Sequence, residues 1–239
     1  MGKYALKRVK TGIPGLDALM SGGIPEGNVT LVSGECGVGK TTLGMQYLVY
    51  GAKKKEPGVF FTIEEDPERL KFYQMLLGWD IEELERKKML RIVQPSLLKW
   101  KEIYTPNLLI DSIKKSIEET KAKRFVLDAV SALGYYIKDV FNLRRLIFTL
   151  SNMLKEKGCT SLIVSEIPEA STQLSTFGIE EYAADGVIVL RTLKVGESFI
   201  RTVCVRKMRG TDHSTKICPM RIIGKSGIEV FPTQEIFTK

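Results

Sequence analysis

Short apolar runs alternate with stretches of helical spacing over the first two-thirds of the chain. The apolar runs predict buried strands at 28–33, 59–63, 89–93, 125–127 and 161–164. Between them, apolar side chains recur at every third or fourth position, which predicts helices from Thr42 onwards and over 107–120 and 139–157. Pro67 fits the first turn of a further helix that runs to Leu77. Strands that alternate with helices form parallel sheets with crossover helices. We therefore predict an α/β fold with a mostly parallel central sheet flanked by helices.

The pattern changes after Gly178, where the helical spacing stops. Two apolar runs at 186–190 and 199–206 flank a turn at 195–198, and two shorter ones at 222–223 and 228–230 flank a glycine-containing turn. This arrangement predicts antiparallel hairpins at the C-terminal end of the sheet. No linker, repeat or low-complexity stretch divides the sequence, so we expect residues 1–239 to form a single domain.

Composition narrows the class of protein. The 239 residues are 44% hydrophobic, yet no apolar stretch approaches the ~18 residues of a membrane span, and the N-terminus does not resemble a secretory signal. We expect a soluble, cytoplasmic protein without a membrane partner. The four cysteines form neither a C-x-x-C pair nor a cluster with the lone histidine, which favours buried free thiols. A Cys204–Cys218 bridge between neighbouring strands remains an alternative.

The chain is basic, with 36 Lys and Arg against 28 Asp and Glu and a net charge of +8. Such an excess suits contact with nucleotides or nucleic acids, although it is also common in small basic proteins that bind neither tightly. Much of it lies in the runs 53–55, 86–88 and 121–124, each at the predicted C-terminus of a helix. Cations are favoured there by the helix dipole, so we interpret the runs as solvated helix ends.

The sequence GECGVGKT at 34–41 fits G-x-x-x-x-G-K-[ST], the phosphate-binding P-loop, and lies between a predicted strand and a predicted helix. Backbone N–H groups of such a turn and the helix N-terminus bind phosphate. Lys40 would reach the β- and γ-phosphates, and the Thr41 hydroxyl would bind Mg²⁺. We therefore predict a nucleoside triphosphate site. Its loop residues are Gly34, Glu35, Cys36, Gly37, Val38, Gly39, Lys40, Thr41 and Thr42.

Acidic residues follow two of the predicted strands. Asp128 follows the strand at 125–127 and is the candidate to complete the Mg²⁺ site with Thr41. Glu64 and Glu65 end the strand at 59–63, at the sheet edge where ligands bind, so one of them is the candidate base that activates water. Alternatively, both glutamates are helix N-cap charges ahead of Pro67.

Six segments together resemble the KaiC-like proteins of the RecA/RadA ATPase superfamily. They are TGIPGLD at 11–17, GGIPEG at 22–27, FTIEE at 61–65, LDAVSAL at 127–133, GIEEYAADGVI at 178–188 and KMRGTDH at 207–213. They occur in order over nearly the whole chain. The resemblance implies a RecA-type P-loop core that assembles into a homo-oligomeric ring, usually a hexamer, with ATP or ADP and Mg²⁺ between subunits.

The resemblance also assigns roles to individual residues. Glu64 would be the catalytic base, with Glu65 beside it. The segment that contains Lys207, Met208 and Arg209 would enter the nucleotide site of the neighbouring subunit, where Lys207 and Arg209 would act on the γ-phosphate. His213 would touch the nucleotide, and Ile222 would line the adenine or simply belong to the core. From the residues alone, 207–210 could equally be a basic strand end before a glycine turn.

The favoured function is Mg²⁺-dependent ATP hydrolysis, and three alternatives remain. A DNA-binding accessory ATPase in repair would use Tyr135, Tyr136 and Lys138, although the second expected DNA loop has neither Lys nor Arg at 169–176. A Ser/Thr kinase is disfavoured because Glu181 and Tyr182 occupy the positions where the kinase-active relative carries phosphorylated hydroxyls. A nucleotide-gated assembly module with negligible hydrolysis is the fourth hypothesis.

Overall fold

The computed structural model describes residues 6–95 and 106–236. The strands, in chain order, are β1 Arg8–Val9, β2 Ile24–Pro25, β3 Val29–Gly34, β4 Gly58–Thr62, β5 Leu90–Val93, β6 Arg124–Asp128, β7 Thr160–Glu166, β8 Gly186–Val195, β9 Ser198–Met208, β10 Cys218–Ile223 and β11 Gly227–Val230. The α-helices are α1 Lys40–Lys53, α2 Pro67–Leu76, α3 Ile81–Arg86, α4 Pro106–Thr120, α5 Val140–Glu156 and α6 Glu180–Ala183. Two 3-10 helices span Asp17–Met20 and Val130–Tyr135.

Nine strands form the main sheet, in the order β11-β10-β9-β8-β3-β7-β6-β4-β5 among the described residues. The six strands from β8 to β5 are parallel, and β9, β10 and β11 are antiparallel to their neighbours. The predicted α/β class, with antiparallel hairpins at the C-terminal end, is confirmed. The change of direction occurs between β8 and β9, because β8 itself runs parallel to β3.

The register of the parallel strands brings their carboxyl ends to one sheet edge. Gly34, the last residue of β3, pairs with Glu166 at the end of β7, and Thr62 of β4 pairs with Asp128 of β6. Loops after parallel strands therefore meet at this edge, which is where α/β sheets bind ligands.

Helices cover both faces of the sheet because alternate strand residues point to opposite sides. On one face, Leu43 and Leu48 of α1, Leu70 of α2 and Ile81 of α3 belong to a single buried cluster. On the other face, a second cluster contains apolar residues of α4 and α5, namely Leu109, Ile113, Ile117, Leu143, Leu146 and Leu150. The P-loop helix α1 is thus held in a core layer, which fixes the position of its N-terminus.

Arg124 corrects the interpretation of the third basic run. It opens β6 and is only 1% exposed, so it is not a solvated helix end. Its Nη1 donates to the carbonyls of Lys10 (3.0 Å) and Tyr47 (2.9 Å), its Nε donates to Glu56 (2.7 Å), and the guanidinium lies 4.4 Å from the Tyr47 ring centre. The other two runs do follow helix ends, at Lys53 and Arg86.

All four cysteines are free thiols, so the Cys204–Cys218 alternative is absent from this structure. Cys159, Cys204 and Cys218 are buried, as expected. Cys36 is exposed, because it lies on the P-loop at the sheet edge, and the prediction of burial was wrong for it. Within 6–95 and 106–236, no helix is both long and apolar enough to cross a membrane.

The 11–17 segment has a structural explanation. Thr11 donates through its backbone N (2.8 Å) and its hydroxyl (2.7 Å) to Asp17 Oδ1, which closes a tight loop. Inside that loop, Gly12 has φ +75° and would place a Cβ 2.1 Å from Tyr50 Cγ. A side chain at this position is therefore excluded both by backbone conformation and by the α1 side chain that packs against it.

We predict that Gly12→Ala lowers the free energy of unfolding by about 3 kcal/mol, because it combines strain at positive φ with overpacking against Tyr50. The measurement is a urea unfolding curve. Gly224→Ala is the matched control, since Gly224 is exposed and a Cβ there would meet no atom within 4 Å. Equal midpoints for the two variants would contradict this account.

Candidate functional site

The predicted phosphate-binding loop connects β3 to α1. Two of its glycines, Gly37 (φ +72°) and Gly39 (φ +104°), adopt the left-handed conformation that this tight turn requires. Gly39 is also the N-cap of the 14-residue helix α1, so the loop lies against unpaired N–H groups at the positive end of the helix dipole. A Cβ at Gly37 would meet nothing within 4 Å, which leaves that side of the loop open to a ligand.

Lys40 is held inside the loop. It is only 9% exposed, and its Nζ donates to the carbonyls of Gly34 (2.9 Å) and Glu35 (2.8 Å). An ammonium has three N–H groups, so one remains for a phosphate oxygen. Burial lowers the pKa of Lys40, while the nearby carboxylates of Glu166 and Asp128 oppose that shift.

Thr41 and Asp128 are in direct contact, although they are 87 residues apart in sequence. The Thr41 hydroxyl donates to Asp128 Oδ2 at 2.7 Å. Burial raises the pKa of Asp128 to about 6, against the opposing effects of that hydrogen bond and of the Lys40 charge. A hydroxyl beside a carboxylate is the oxygen donor set that Mg²⁺ prefers, so the two residues fit the metal predicted from the sequence.

A cavity of about 400 Å³ brings most of the predicted residues together. Its lining includes Cys36, Gly37, Gly39, Lys40, Thr41, Thr42, Glu64, Glu65, Asp128 and Ile222. Gly34, Glu35 and Val38 are not among the residues that line the cavity. Val38 is buried in the core, and the Glu35 carboxylate accepts from Thr192 N (3.0 Å) and Arg191 Nη1 (3.4 Å). The burial of Val38 and the hydrogen bonds of Glu35 hold the loop in place.

The two glutamates after β4 have different environments. Glu64 is exposed at the cavity, whereas Glu65 is half-buried, and burial raises the pKa of Glu65. The backbone of Glu65 is fixed by Thr62, whose hydroxyl donates to Glu65 O (2.9 Å) and accepts from Glu65 N (3.1 Å). The alternative that the glutamates cap α2 is wrong, because the N-cap is Asp66, which accepts from Glu68 N and Arg69 N.

The residues predicted to act in trans lie away from this cavity. In the β8–β9 pairing, Met208 is opposite Gly186 and Lys207 is opposite Val187, near the amino end of β8. Gly34, at the start of the P-loop, pairs with Leu190, which lies four residues beyond Gly186 on β8. About 13 Å of strand therefore separates Met208 from the P-loop along the sheet. Lys207 and Arg209 therefore lie towards the opposite sheet edge from the P-loop. His213 follows in the same segment, outside the residues that line the cavity.

The basic segment has ordered contacts within its own chain. Lys207 Nζ donates to the carbonyls of Glu181 (2.9 Å) and Ala184 (2.6 Å), and burial lowers the pKa of Lys207. Arg209 Nη1 donates to Asp185 Oδ1 at 3.3 Å, and the Arg209 side chain is more than half exposed. This position fits a strand end before a glycine turn, and it equally leaves Arg209 accessible to another molecule.

Glu166 was missed by the sequence reasoning. It is the last residue of β7, it is exposed, and it lines the same cavity as Glu64 and Asp128. The signal was available, because the predicted strand at 161–164 leads directly into this acid and the carboxyl ends of parallel strands share one edge. Thr62 was missed as well, and its hydroxyl positions the backbone of Glu65.

The two candidate DNA-binding loops adjoin each other, because a Cβ on Gly134 would lie 2.1 Å from Phe177 Cζ. Tyr136 and Lys138 line a separate cavity of about 650 Å³ with residues of α4 and α5, and the side chain of Tyr135 lies outside the described part of the structure. The second loop is held by hydrogen bonds within its own chain, because the buried Glu180 carboxylate accepts from the hydroxyls of Ser175 (2.7 Å) and Ser165 (3.0 Å). DNA binding stays a hypothesis.

A strand, a glycine-rich turn, a helix and an acid at the end of another parallel strand define the class: a P-loop protein with a RecA-type core. The chain belongs to the KaiC-like ATPase family, as the sequence resemblance predicted. The family described as "ATPase: KaiC" matches residues 9–235.

Individual relatives agree with this assignment. A UPF0273 protein of Aeropyrum pernix is 38% identical over 96% of this chain and 95% of its own length. The circadian clock protein KaiC3 of Synechocystis is 35% identical over 97% of this chain, which spans only 47% of that relative. The crystal structure of a KaiC-like protein from Pyrococcus horikoshii superposes with a TM-score of 0.86 at 36% identity, covering 95% of this chain and all of that one.

Proposed function

We propose that this protein binds ATP with Mg²⁺ and hydrolyses it to ADP and phosphate, as a homo-oligomeric ring with nucleotide at the subunit junctions. The observation that carries the proposal is the meeting of the P-loop, the Thr41–Asp128 pair and the Glu64–Glu65 pair around one cavity. Membership of the KaiC-like ATPase family supports ATP as the nucleotide.

In this proposal, the P-loop and the N-terminus of α1 bind the nucleotide. The N–H groups of the loop and the N-terminus of α1 hold the phosphates, and Lys40 adds a buried positive charge. Thr41 and Asp128 hold Mg²⁺, which when bound neutralises charge on the phosphates. Ile222 offers an apolar surface to the base on the β10 side of the cavity.

Hydrolysis requires a water molecule aligned with the γ-phosphate. We assign Glu64 to accept the water proton as the water oxygen bonds to the γ-phosphorus and the bond to the β–γ bridging oxygen breaks, which leaves ADP. Glu64 is the better candidate because its side chain is exposed at the cavity, whereas Glu65 is half-buried. The half-buried Glu65 would then orient its neighbour.

The charge around the cavity supports action in trans. Glu64, Glu65, Asp128 and Glu166 supply four carboxylates, and Lys40 is the one cation among the described lining residues. Stabilising the charge that develops on the transferred phosphoryl group needs further cations. Lys207 and Arg209 would supply them from the neighbouring subunit, since both lie too far along the sheet to serve their own cavity.

We predict that Glu64→Gln lowers the rate of phosphate release about a hundredfold, because glutamine cannot accept the proton, while a fluorescent ATP analogue still binds. Glu65→Gln should cost less. Glu156→Gln, at an exposed position on α5, is the matched control and should behave as the wild type. Unchanged release in Glu64→Gln would remove Glu64 from the mechanism, and a loss confined to Glu65→Gln would reverse the two assignments.

A further inference from the structure

We propose that a second cavity, on the β8–β9 hairpin, binds a small elongated molecule with an anionic group at each end, and that its occupancy is coupled to the P-loop. This hairpin cavity has a volume of about 360 Å³ and is lined by β8, β9, the loop at 171–174 and the segment at 215–217. It shares no described lining residue with the nucleotide cavity. The binding part of the inference therefore stands by itself, whereas the coupling part rests on the proposed function.

The lining residues of each strand alternate in sequence, which places them on one face of the hairpin. They are Val189, Arg191 and Leu193 on β8 and Thr202, Cys204 and Arg206 on β9. Val189 also belongs to the buried cluster on the α4–α5 face of the sheet. No α-helix within the described residues contributes to the lining. This part of the sheet face is therefore open to a ligand.

The charges in the lining favour an anionic ligand. Among the described lining residues, Arg191 and Arg206 are cationic and none is acidic. Arg206 is exposed and forms no ion pair within residues 6–95 and 106–236. Arg191 donates from Nη1 to Glu35 Oε1 (3.4 Å) and from Nη2 to the Gln173 carbonyl (2.8 Å), which leaves three of its five N–H groups for a ligand. Guanidinium groups bind carboxylate and phosphate oxygens with paired donors.

The two arginines lie at opposite ends of the cavity. Arg191 is opposite Thr202, and Arg206 is four residues further along β9, so about 13 Å of strand separates the two levels. Between them lies the cross-strand pair of Val189 and Cys204. Burial raises the pKa of the Cys204 thiol, so this middle part is uncharged.

Hydroxyl groups accompany both arginines. The loop that contains Ser171 and Thr172 reaches the first end, because the Gln173 carbonyl accepts from Arg191. In the β9–β10 register, Cys218 is opposite Val203, which brings the preceding position 215, a threonine, level with Arg206 at the other end. Arginines with hydroxyls at two ends and an apolar middle fit an aliphatic chain that carries a carboxylate or phosphate at each end. A volume of about 360 Å³ suits a small ligand.

Arg191 connects the hairpin cavity to the P-loop. Besides accepting from Arg191, the Glu35 carboxylate accepts from Thr192 N at 3.0 Å, and Glu35 is buried. A ligand anion competes with Glu35 for the guanidinium and so weakens a contact that holds the loop. We therefore expect the ligand and the nucleotide to oppose each other's binding, since coupling between two sites is reciprocal.

The first experiment titrates suberate, a linear aliphatic bisphosphate of the same length and octanoate into the nucleotide-free protein by calorimetry. We expect both dianions to bind the wild type, and the tighter one identifies the terminal group. Octanoate, which lacks one anionic end, should bind at least about tenfold more weakly than suberate, because a charged hydrogen-bonded contact is worth that much.

Arg206→Met should weaken both dianions to a similar extent. Arg144→Met is the matched control, because Arg144 is equally exposed but lies on α5, away from the cavity. Thermal melts show that both variants are folded. No binding of either dianion to the wild type, equal affinities of suberate and octanoate, or equal affinities of the two variants would overturn the site.

The second experiment measures the affinity for a fluorescent ATP analogue with Mg²⁺, with and without a saturating concentration of the tighter dianion. We expect the dianion to weaken the analogue at least about fivefold in the wild type and in Arg144→Met, and to have no effect in Arg206→Met at the same concentration. Weakening that persists in Arg206→Met would mean direct competition at the P-loop, and no weakening in the wild type would mean independent sites. Either result would overturn the coupling.

The two experiments also separate this inference from the proposed function. A protein that binds no ATP analogue under any condition would end the nucleotide proposal and the coupling with it. The calorimetric titration would still decide whether the hairpin cavity binds a dianion, because it is carried out without nucleotide.

Discussion

Lys40→Ala is expected to lower kcat/KM for ATP by about a thousandfold, the largest effect on activity that we predict. The ammonium is buried within the loop and held by two loop carbonyls, so its charge acts in a site of low dielectric. Its removal takes away the one cation among the described lining residues of the cavity. Phosphate release and the affinity for a fluorescent ATP analogue should both fall, in contrast to Glu64→Gln, which keeps binding.

Lys53→Ala is the control for this experiment. Lys53 is the last residue of the same helix and is exposed, so its replacement removes an equal charge without touching the cavity. Its activity should equal that of the wild type. If Lys40→Ala binds ATP as tightly as Lys53→Ala does, the loop does not hold the phosphates and the nucleotide proposal fails.

The second large effect concerns stability. Arg124→Met is expected to lower the free energy of unfolding by about 4 kcal/mol, because it deletes a buried cation and leaves its partners without a donor. The carbonyls of Lys10 and Tyr47 lose the N–H groups that satisfy them, and Glu56 loses its ion pair. Methionine preserves much of the apolar stem, so the change reports on the guanidinium more than on packing.

Urea unfolding followed by circular dichroism measures this effect, with Arg86→Met as the control. Arg86 ends α3 and is exposed, so we expect its replacement to change stability by less than about 0.5 kcal/mol. Equal stability of the two variants would mean that the contacts of Arg124 contribute nothing net to the fold.

The parallel core could be predicted from sequence because its signals are local and strong. The predicted strands 28–33 and 161–164, for example, match β3 and β7 closely. Both runs are rich in Val, Leu and Ile, and their few polar residues are small and do not alternate regularly, as expected for a strand covered on both faces. The helix expected at 139–157 is α5 at Val140–Glu156, with Gly158 at φ +68° just beyond its end. The P-loop was recognisable because its glycines, lysine and threonine are fixed by chemistry at fixed spacing.

Other features depend on contacts between distant segments, which no local pattern reveals. Arg124 looked like the end of a basic run because its partners, Lys10 and Glu56, come from elsewhere in the chain. The short helix α3 has only six residues, too few for a period to emerge. The Thr41–Asp128 contact was inferred from the P-loop itself. Glu166 was overlooked although its strand had been predicted, and the strand register places it opposite Gly34.

Strand β9 contacts the P-loop near one end and leads into the basic segment at the other. Near its start, Arg201 Nε donates to the carbonyl of Gly37 in the P-loop at 3.3 Å, and eight positions later the same strand ends beside Arg209. At about 3.3 Å per residue, a single strand thus spans roughly 26 Å between its own phosphate loop and the cation that would serve the next subunit. In the proposed assembly, one continuous strand would therefore join the phosphate loop of one subunit to the cation that the same subunit offers to its neighbour.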